Sequence, residues 1–377
     1  MGFISILLLV AVATAWAVLA VVSVWRVVAK TEVHTAKLES VSVLKPLCGV
    51  DEDLEANLRS FFEQDHPSFE IVFGIEGSRD PALALVTRMQ NEFPHVRSTV
   101  VVHEGGFGIN PKMSNLRAML EHVSNDLILI SDSNVRAPAH YLREMGGQMA
   151  EPGVGLVTNI FAGTGEESIG AALENLHLNS TIAAGVAASN EVLLHPAVVG
   201  KSMVFHRSHL EKLGGFATVA DVLAEDYVIG RMFHEAGMHV RLARTPLQNV
   251  VRETSVKSFV MRQVRWGMIR VRLVPLAFVL EPLASPLFVA CVCAMLGAPL
   301  ISTFAWALLT TVLRDYAIWT LLRGRAGFLR AMPLVLVRDS LVFAAWVIAI
   351  FAKHVTWRGK RVRVSAGTRL YIERPAY

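Results

Sequence analysis

Cysteine is scarce in this chain: three in 377 residues, Cys48, Cys291 and Cys293. Three thiols cannot form a framework of paired bridges, which excludes a small disulfide-stapled module. No second Cys/His pair stands at zinc-ligand spacing, which argues against a zinc site. Charge is scarce too. Charged residues make up 18% of the chain, against about 25% in an average soluble protein. The net charge of +4 is too small to argue for nucleic acid, and no Lys/Arg-rich block is interleaved with aromatics. Walker and dinucleotide-binding glycine patterns are missing. What is abundant is apolar: 53% of residues are hydrophobic and the mean hydropathy is +0.44. That composition excludes a disordered chain or a collagen-like fibre and places part of the protein in lipid. The length leaves room for one sizeable soluble domain besides several membrane segments.

Residues 2–25 carry no charge. As a helix they would extend about 36 Å, enough to cross a hydrocarbon core of ~30 Å. No positive region precedes this run, whereas Arg26, Lys30 and Lys37 follow it. That asymmetry favours an uncleaved anchor with its downstream end in the cytosol over a cleaved signal peptide. A second apolar zone spans residues 273–313, with Glu281 its only charge, and Gly297-Ala298-Pro299 is a natural break into two helices. Cys291 and Cys293 lie inside this zone and read as buried, reduced thiols. A third segment, 333–352, carries Arg338 and Asp339 near its start. Three clean spans would put the basic tail 353–363 outside, against the positive-inside rule, so one segment is expected to be re-entrant or interfacial.

Between the membrane parts, from about 41 to 263, short apolar runs alternate with polar helical stretches. Val41-Ser-Val-Leu-Lys-Pro-Leu47, Glu70-Ile-Val-Phe-Gly-Ile-Glu76, Arg97-Ser-Thr-Val-Val-Val-His103 and Asp126-Leu-Ile-Leu-Ile-Ser-Asp132 read as strands. Residues 53–63, 81–92 and 114–122 read as helices. This alternation predicts an α/β layer with a largely parallel sheet, whose ligands bind beyond the carboxyl ends of the strands.

Several acidic residues fall there. Asp80 follows the second strand, where a turn before Pro81 explains it equally well. Asp132 closes the fourth strand, as a helix cap or a metal ligand. Glu225-Asp226 stands at the apparent start of a helix, where negative charge is favourable in any case. Arg262, Arg265 and Trp266 lie just before the second apolar zone, where a basic, aromatic interface stripe is common. The glycines of 104–112 read as a flexible loop. Asn179-Ser-Thr181 matches a glycosylation sequon without meaning on a cytosolic domain.

Taken in order, Val41-Ser-Val-Leu-Lys-Pro-Leu47, Gly108-Ile-Asn-Pro-Lys112, Asp132-Ser-Asn-Val-Arg136, Ala224-Glu-Asp-Tyr227 and Arg262-Gln-Val-Arg265-Trp266 resemble the ceramide glucosyltransferases. These are membrane-bound, inverting glycosyltransferases of the GT-A fold, whose shared pattern is three separated aspartates followed by (Gln/Arg)-x-x-Arg-Trp. The resemblance implies an anchor at 1–28, a GT-A domain at 29–272, membrane helices at 273–352 and a basic cytosolic or interfacial tail at 353–377. It implies that Asp80 helps hold the uridine nucleotide and that Asp132 meets a divalent cation, Mg²⁺ or Mn²⁺, and the diphosphate. It makes Asp226 the catalytic base and puts Asn110 and Lys112 in a donor-side loop. Arg262, Arg265 and Trp266 become the terminal motif at the donor phosphate and acceptor. The implied reaction is transfer of glucose from UDP-glucose to the primary hydroxyl of ceramide, with inversion, at the cytosolic face of a membrane. A hopanoid or other lipid acceptor, or another UDP-sugar, is the nearest alternative. A polysaccharide synthase, a glycoside hydrolase and a receptor rank lower. The chain departs from the family's Ser-His-Pro context around 175–188, so His177 receives no role.

Overall fold

The computed structural model describes residues 2–31, 38–193, 195–357 and 360–372. Lys37 and part of the basic tail lie outside the described residues. Contacts divide the chain into two compact units. One comprises Ala29–Ile160, Leu194–Val250 and Arg369–Tyr377; the other comprises Met1–Val28, Phe161–Leu193 and Val251–Thr368.

The first unit is built on a seven-stranded sheet: β1 (Val41–Leu47), β2 (Phe69–Glu76), β3 (Arg97–His103), β4 (Leu127–Ser131), β5 (Val154–Thr158), β6 (Ser202–His206) and β7 (His239–Leu242). Their spatial order is β3-β2-β1-β4-β6-β5-β7. The first four strands pair in parallel, whereas β6 runs antiparallel to both β4 and β5. The expected largely parallel α/β layer is therefore present, and its four expected strands match within a residue or two. β1 and β4 are buried along their whole length, the signature of strands covered on both faces. Helix Leu54–Phe62 buries Leu54, Leu58, Phe61 and Phe62, one stripe at helical spacing. Phe62 stacks on Phe73 and Phe93. On the other side Met113, Leu116 and Met119 join Leu44, Ile128, Ile130, Phe205 and Phe233 in one core.

One helix and one loop depart from expectation in instructive ways. The helix expected from 114 begins at Pro111, because the Asn110 side chain accepts from Lys112 N–H and Pro fits the first helical position. The 104–112 stretch is less loose than its glycines imply: a Cβ on Gly108 would meet the Ala220 carbonyl at 2.3 Å.

The second unit is helical. Among the described residues, Phe3–Val28 and Phe328–Phe351 are long and apolar enough to cross a membrane. A third candidate, Pro275–Ala284 with Pro286–Met295, is bent by 77°. Its corner has a local cause: Ser285 caps the second half by accepting from Phe288 N–H, with Pro286 at the first position. The expected break at 297–299 is also present. Gly297 takes φ 90° and Ala298 N–H bonds back to the Cys293 carbonyl at 2.9 Å, a glycine helix stop. Helix Leu300–Arg323 follows. Cys293 is buried as expected, whereas Cys291 is exposed. Asn179 is sealed inside this unit, exchanging 2.8 Å bonds with the Gly163 backbone in both directions, so its sequon is inert.

Candidate active site

The site of the α/β unit follows from strand register. Antiparallel pairing sets Ser131 of β4 opposite Ser202 of β6. One residue beyond that pair, Asp132 and Lys201 are therefore neighbours, and Asp132 N–H donates to the Lys201 carbonyl at 3.0 Å. Asp132 lies just past the carboxyl end of β4, where a parallel sheet offers its ligands. Its two carboxylate oxygens meet two ammonium groups: Lys112 at 2.9 Å from Oδ1 and Lys201 at 3.5 Å from Oδ2.

Lys112 gathers the second pair of acids. Its Nζ stands 3.2 Å from Glu225 Oε1 and donates to the Gly200 carbonyl at 2.9 Å. Glu225 and Asp226 occupy the first turn of helix Glu225–Glu235, where the helix dipole favours negative charge. Asp226 Oδ2 accepts the Gly200 N–H. Gly200 thus touches both partners: a Cβ there would lie 2.9 Å from Asp226 Oδ2 and 3.1 Å from Lys112 Nζ. Asn110 is fully buried and ties the loops together. Its Nδ2 donates to the Val222 carbonyl at 2.8 Å and to Glu225 at 3.2 Å. Asn110 N–H donates to the Ala220 carbonyl at 3.0 Å, and Ile109 N–H to Asp221 at 2.7 Å.

Lys45 approaches Asp132 from inside the sheet. It is fully buried, donates to the Asp132 carbonyl at 2.7 Å and lies 3.9 Å over the Phe61 ring. Burial lowers its pKa to about 7, against the pull of Asp132. Glu225 is pushed up to about 7, first by burial and then by the Asp226 charge, with Lys112 opposing. Burial also lifts Asp226 above the usual carboxylate range, again against Lys112. Asp132 goes the other way: burial would raise it, but Lys112 and Lys201 together hold it below its ordinary value. One acid is thus kept ionised while its neighbours are made more basic, an arrangement common where acid–base chemistry is done.

Asp80 caps a different corner. Its carboxylate accepts the Gly49 N–H at 2.9 and 3.0 Å and the Ala82 N–H at 2.8 Å, closing the segment after β1 against the start of helix Ala82–Glu92. Arg262, Arg265 and Trp266 belong to the helical unit, on helix Val256–Leu273, where their spacing sets them along one face. Arg262 pairs there with the buried Glu174 at 3.1 Å. Sequence reading passed over Lys45, Gly200 and Lys201. A lysine amid the apolar β1 was a visible signal; the other two gain meaning only from the antiparallel register of β6.

Among the described residues, no three His, Cys, Asp or Glu side chains are arranged to hold a metal ion. Asp132 offers a hard oxygen ligand, with its side chain 26% exposed. That donor set fits a cation which brings phosphate and water as its remaining ligands, the usual habit of Mg²⁺. It does not fit a preformed protein cage.

The parallel α/β core with acids beyond the strand ends defines a GT-A-like glycosyltransferase fold. A mannosyltransferase from Pyrobaculum calidifontis, solved with GDP-Man and Mn²⁺, superposes with a TM-score of 0.56 at 19% identity, covering 93% of this chain and 99% of that one. A model of glycosyl transferase family 21 matches residues 5–370. The chain belongs to that family. Ceramide glucosyltransferase 1 of Caenorhabditis elegans is 26% identical, over 92% of this chain and 76% of the relative. A ceramide glucosyltransferase of Komagataella phaffii is 24% identical, over 87% and 83%. The resemblance in the ordered motifs is thereby borne out at the level of family, and the protein is a glycosyltransferase with helices able to enter a membrane.

Proposed function

We propose that this enzyme transfers glucose from UDP-glucose to the primary hydroxyl of ceramide, with inversion, at the cytosolic face of a membrane. The observation that carries this reading is the Asp226 carboxylate. It is made more basic by burial, aimed by the Gly200 N–H, and set beside the Lys112–Asp132 pair. An alcohol is a poor nucleophile at neutral pH, so a base within hydrogen-bond reach of its proton is required. Asp226 takes that proton as the hydroxyl oxygen bonds to the anomeric carbon and the bond to the UDP oxygen breaks on the opposite face. The α-linked donor then gives a β-glucoside. Asp132 would hold a divalent cation, Mg²⁺ or Mn²⁺, which when bound neutralises charge on the leaving diphosphate.

Lys112 orients that carboxylate and adds its own charge. Asn110 acts through position, fixing the backbone of Lys112 and the side chain of Glu225. Asp80 shapes the nucleotide end by pinning Gly49. Arg265 and Trp266 serve the phosphate and the lipid acceptor, with Arg262 braced on Glu174. Relatives named for ceramide support the acceptor, as does the presence of helices suited to lipid.

Chain path supports the orientation. Leu194–Val250 belongs to the α/β unit, and so does the chain from Arg369, where Arg369 bridges Val222 and Leu370 N–H donates to the Asp221 carbonyl at 2.8 Å. A unit on one side of a bilayer requires an even number of crossings between those points. The bent pair 275–295 and Phe328–Phe351 supply two such crossings if each spans, and the basic tail then returns to the cytosolic side as the charge rule asks.

The test is a transfer assay on detergent-solubilised protein with radiolabelled UDP-glucose, Mn²⁺ or Mg²⁺ and ceramide. Labelled glycolipid from the wild type but not from Asp226→Asn is the expected result. UDP release without glycolipid would overturn the acceptor and leave the donor. Near-normal turnover by a folded Asp226→Asn would remove the base assignment.

A further inference from the structure

We propose that Lys201 is a second cationic ligand for the donor diphosphate, the movable partner of a fixed Lys112. This rests on the donor reading above and adds to it a residue that neither the sequence motifs nor the family resemblance assigns. Its place is set by the fold: the Ser131–Ser202 register brings Lys201 to the carboxyl end of β4, beside Asp132. There the two ammonium groups divide one carboxylate between them, Lys112 on Oδ1 and Lys201 on Oδ2.

The two are held differently. Lys112 is gripped by Asp132 at 2.9 Å, Glu225 at 3.2 Å and the Gly200 carbonyl at 2.9 Å, and its side chain is 14% exposed. Lys201 stands farther from Asp132, at 3.5 Å, and is 27% exposed. Its 2.8 Å bond goes to Asn134 Oδ1, a neutral amide. A lysine is a point charge on a flexible stem, well suited to following a phosphate.

Charge accounting gives the movement a direction. Asp132, Glu225 and Asp226 already surround Lys112 with negative charge. A diphosphate adds more, and one divalent cation on Asp132 offsets only part of it. Were that carboxylate to hold the cation, the ammonium of Lys201, with its side chain 27% exposed beside it, would stand ready for the phosphate oxygens. The step exchanges one ion pair for another and breaks no covalent bond. The Asn134 amide oxygen, which accepts from the Lys201 ammonium at 2.8 Å, adds no opposing charge.

The test measures binding of UDP, UMP and uridine to the full-length, detergent-solubilised protein by calorimetry, with Mn²⁺ and again with EDTA. The variants are Lys201→Met and Lys201→Arg, each checked by thermal unfolding. Lys201→Met is expected to weaken UDP about tenfold, the size of one charge-assisted contact. UMP should weaken less, uridine should be unchanged, and the UDP loss should be smaller in EDTA, where Asp132 keeps Lys201 for itself. Lys201→Arg, which keeps the charge, should restore most of the affinity. Equal weakening of UDP and uridine would mean a distorted site and would overturn the proposal. So would undiminished UDP binding by a folded Lys201→Met, which would make Lys201 a counter-ion of Asp132 alone while the donor reading stood. Failure of the wild type to bind UDP at all would sink both.

Discussion

Each unit of this protein contains an aspartate clasped between two cations, one on each oxygen, and the two clasps are built to opposite ends. In the α/β unit, Asp132 lies between Lys112 and Lys201, at 2.9 and 3.5 Å, with all three side chains 14–27% exposed. In the helical unit, Asp315 lies between Arg314 and Arg338, at 2.9 and 2.6 Å, and none of the three is more than 6% exposed. Arg338 also pairs with Asp339 at 2.7 Å and donates to Ser180 at 2.6 Å. Lysine, a hydrated point charge, suits a pair that must open to a ligand. Arginine, a planar fork with five donors, suits one that must stay shut. The lesson is that ion-pair geometry alone does not mark a site; exposure and the choice of cation do.

The sharpest way to break the comparison is to remove the base proposed for the open clasp. Asp226→Asn should lower turnover by roughly 10²–10⁴-fold with UDP affinity nearly unchanged, read by steady-state kinetics beside nucleotide binding. Breaking the sealed clasp should do the reverse. Arg338→Met removes one of the two cations on the buried Asp315 and the cation paired with Asp339, and should cost about 3–5 kcal/mol of stability, seen as a large fall in the detergent unfolding midpoint. Replacing both partners, Arg338→Met with Asp315→Leu, should recover only part of that loss, because Arg314 and Asp339 then lose the charges they meet. If the double variant is no better than the single one, the network does more than balance charge.

Gly200→Ala probes the geometry of the open side. Its Cβ would press on Asp226 and Lys112, so turnover should fall by about tenfold, an effect of displaced reacting groups, while folding is retained. The smallest effect is a shift in pH. Asp226 must be ionised to act, and burial lifts its pKa, so activity should fail as pH drops through a value above the ~3.9 of a free aspartate. Glu225→Gln removes a neighbouring negative charge and should move that acidic limb downward. A limb that stays put in the pH–rate profile would separate the two acids.

The open clasp was partly legible in the sequence and the sealed one hardly at all. Asp132 stood out because a carboxylate at the end of Leu-Ile-Leu-Ile needs a reason, and Asp226 because two acids open a helix. Both inferences depend on one strand or one helix alone. Lys201 depends on which strand lies beside β4 and in which direction, and no local pattern encodes that. Arg338 and Asp339 were visible as charges in an apolar segment, but Asp315, which Arg338 also meets, lies on a different helix, so that pairing was hidden. The bend at Ser285 was missed for a related reason. Gly297-Ala298-Pro299 is the stronger helix break in the sequence, whereas Ser285-Pro286 turns the chain through a serine cap that shows only in the folded backbone.

The stitching of residues 108–112 to 220–226 bears on how such enzymes can be re-engineered. Gly108 lies flat on the Ala220 carbonyl, Ile109 and Asn110 bond to Asp221, Ala220 and Val222, and Asn110 reaches Glu225. A loop borrowed from a relative to change donor preference would therefore arrive without its mate. The two stretches are more than a hundred positions apart in the chain, yet they form a single cassette. Grafts that exchange both at once should keep the cation and the base in register, and grafts of either alone should not.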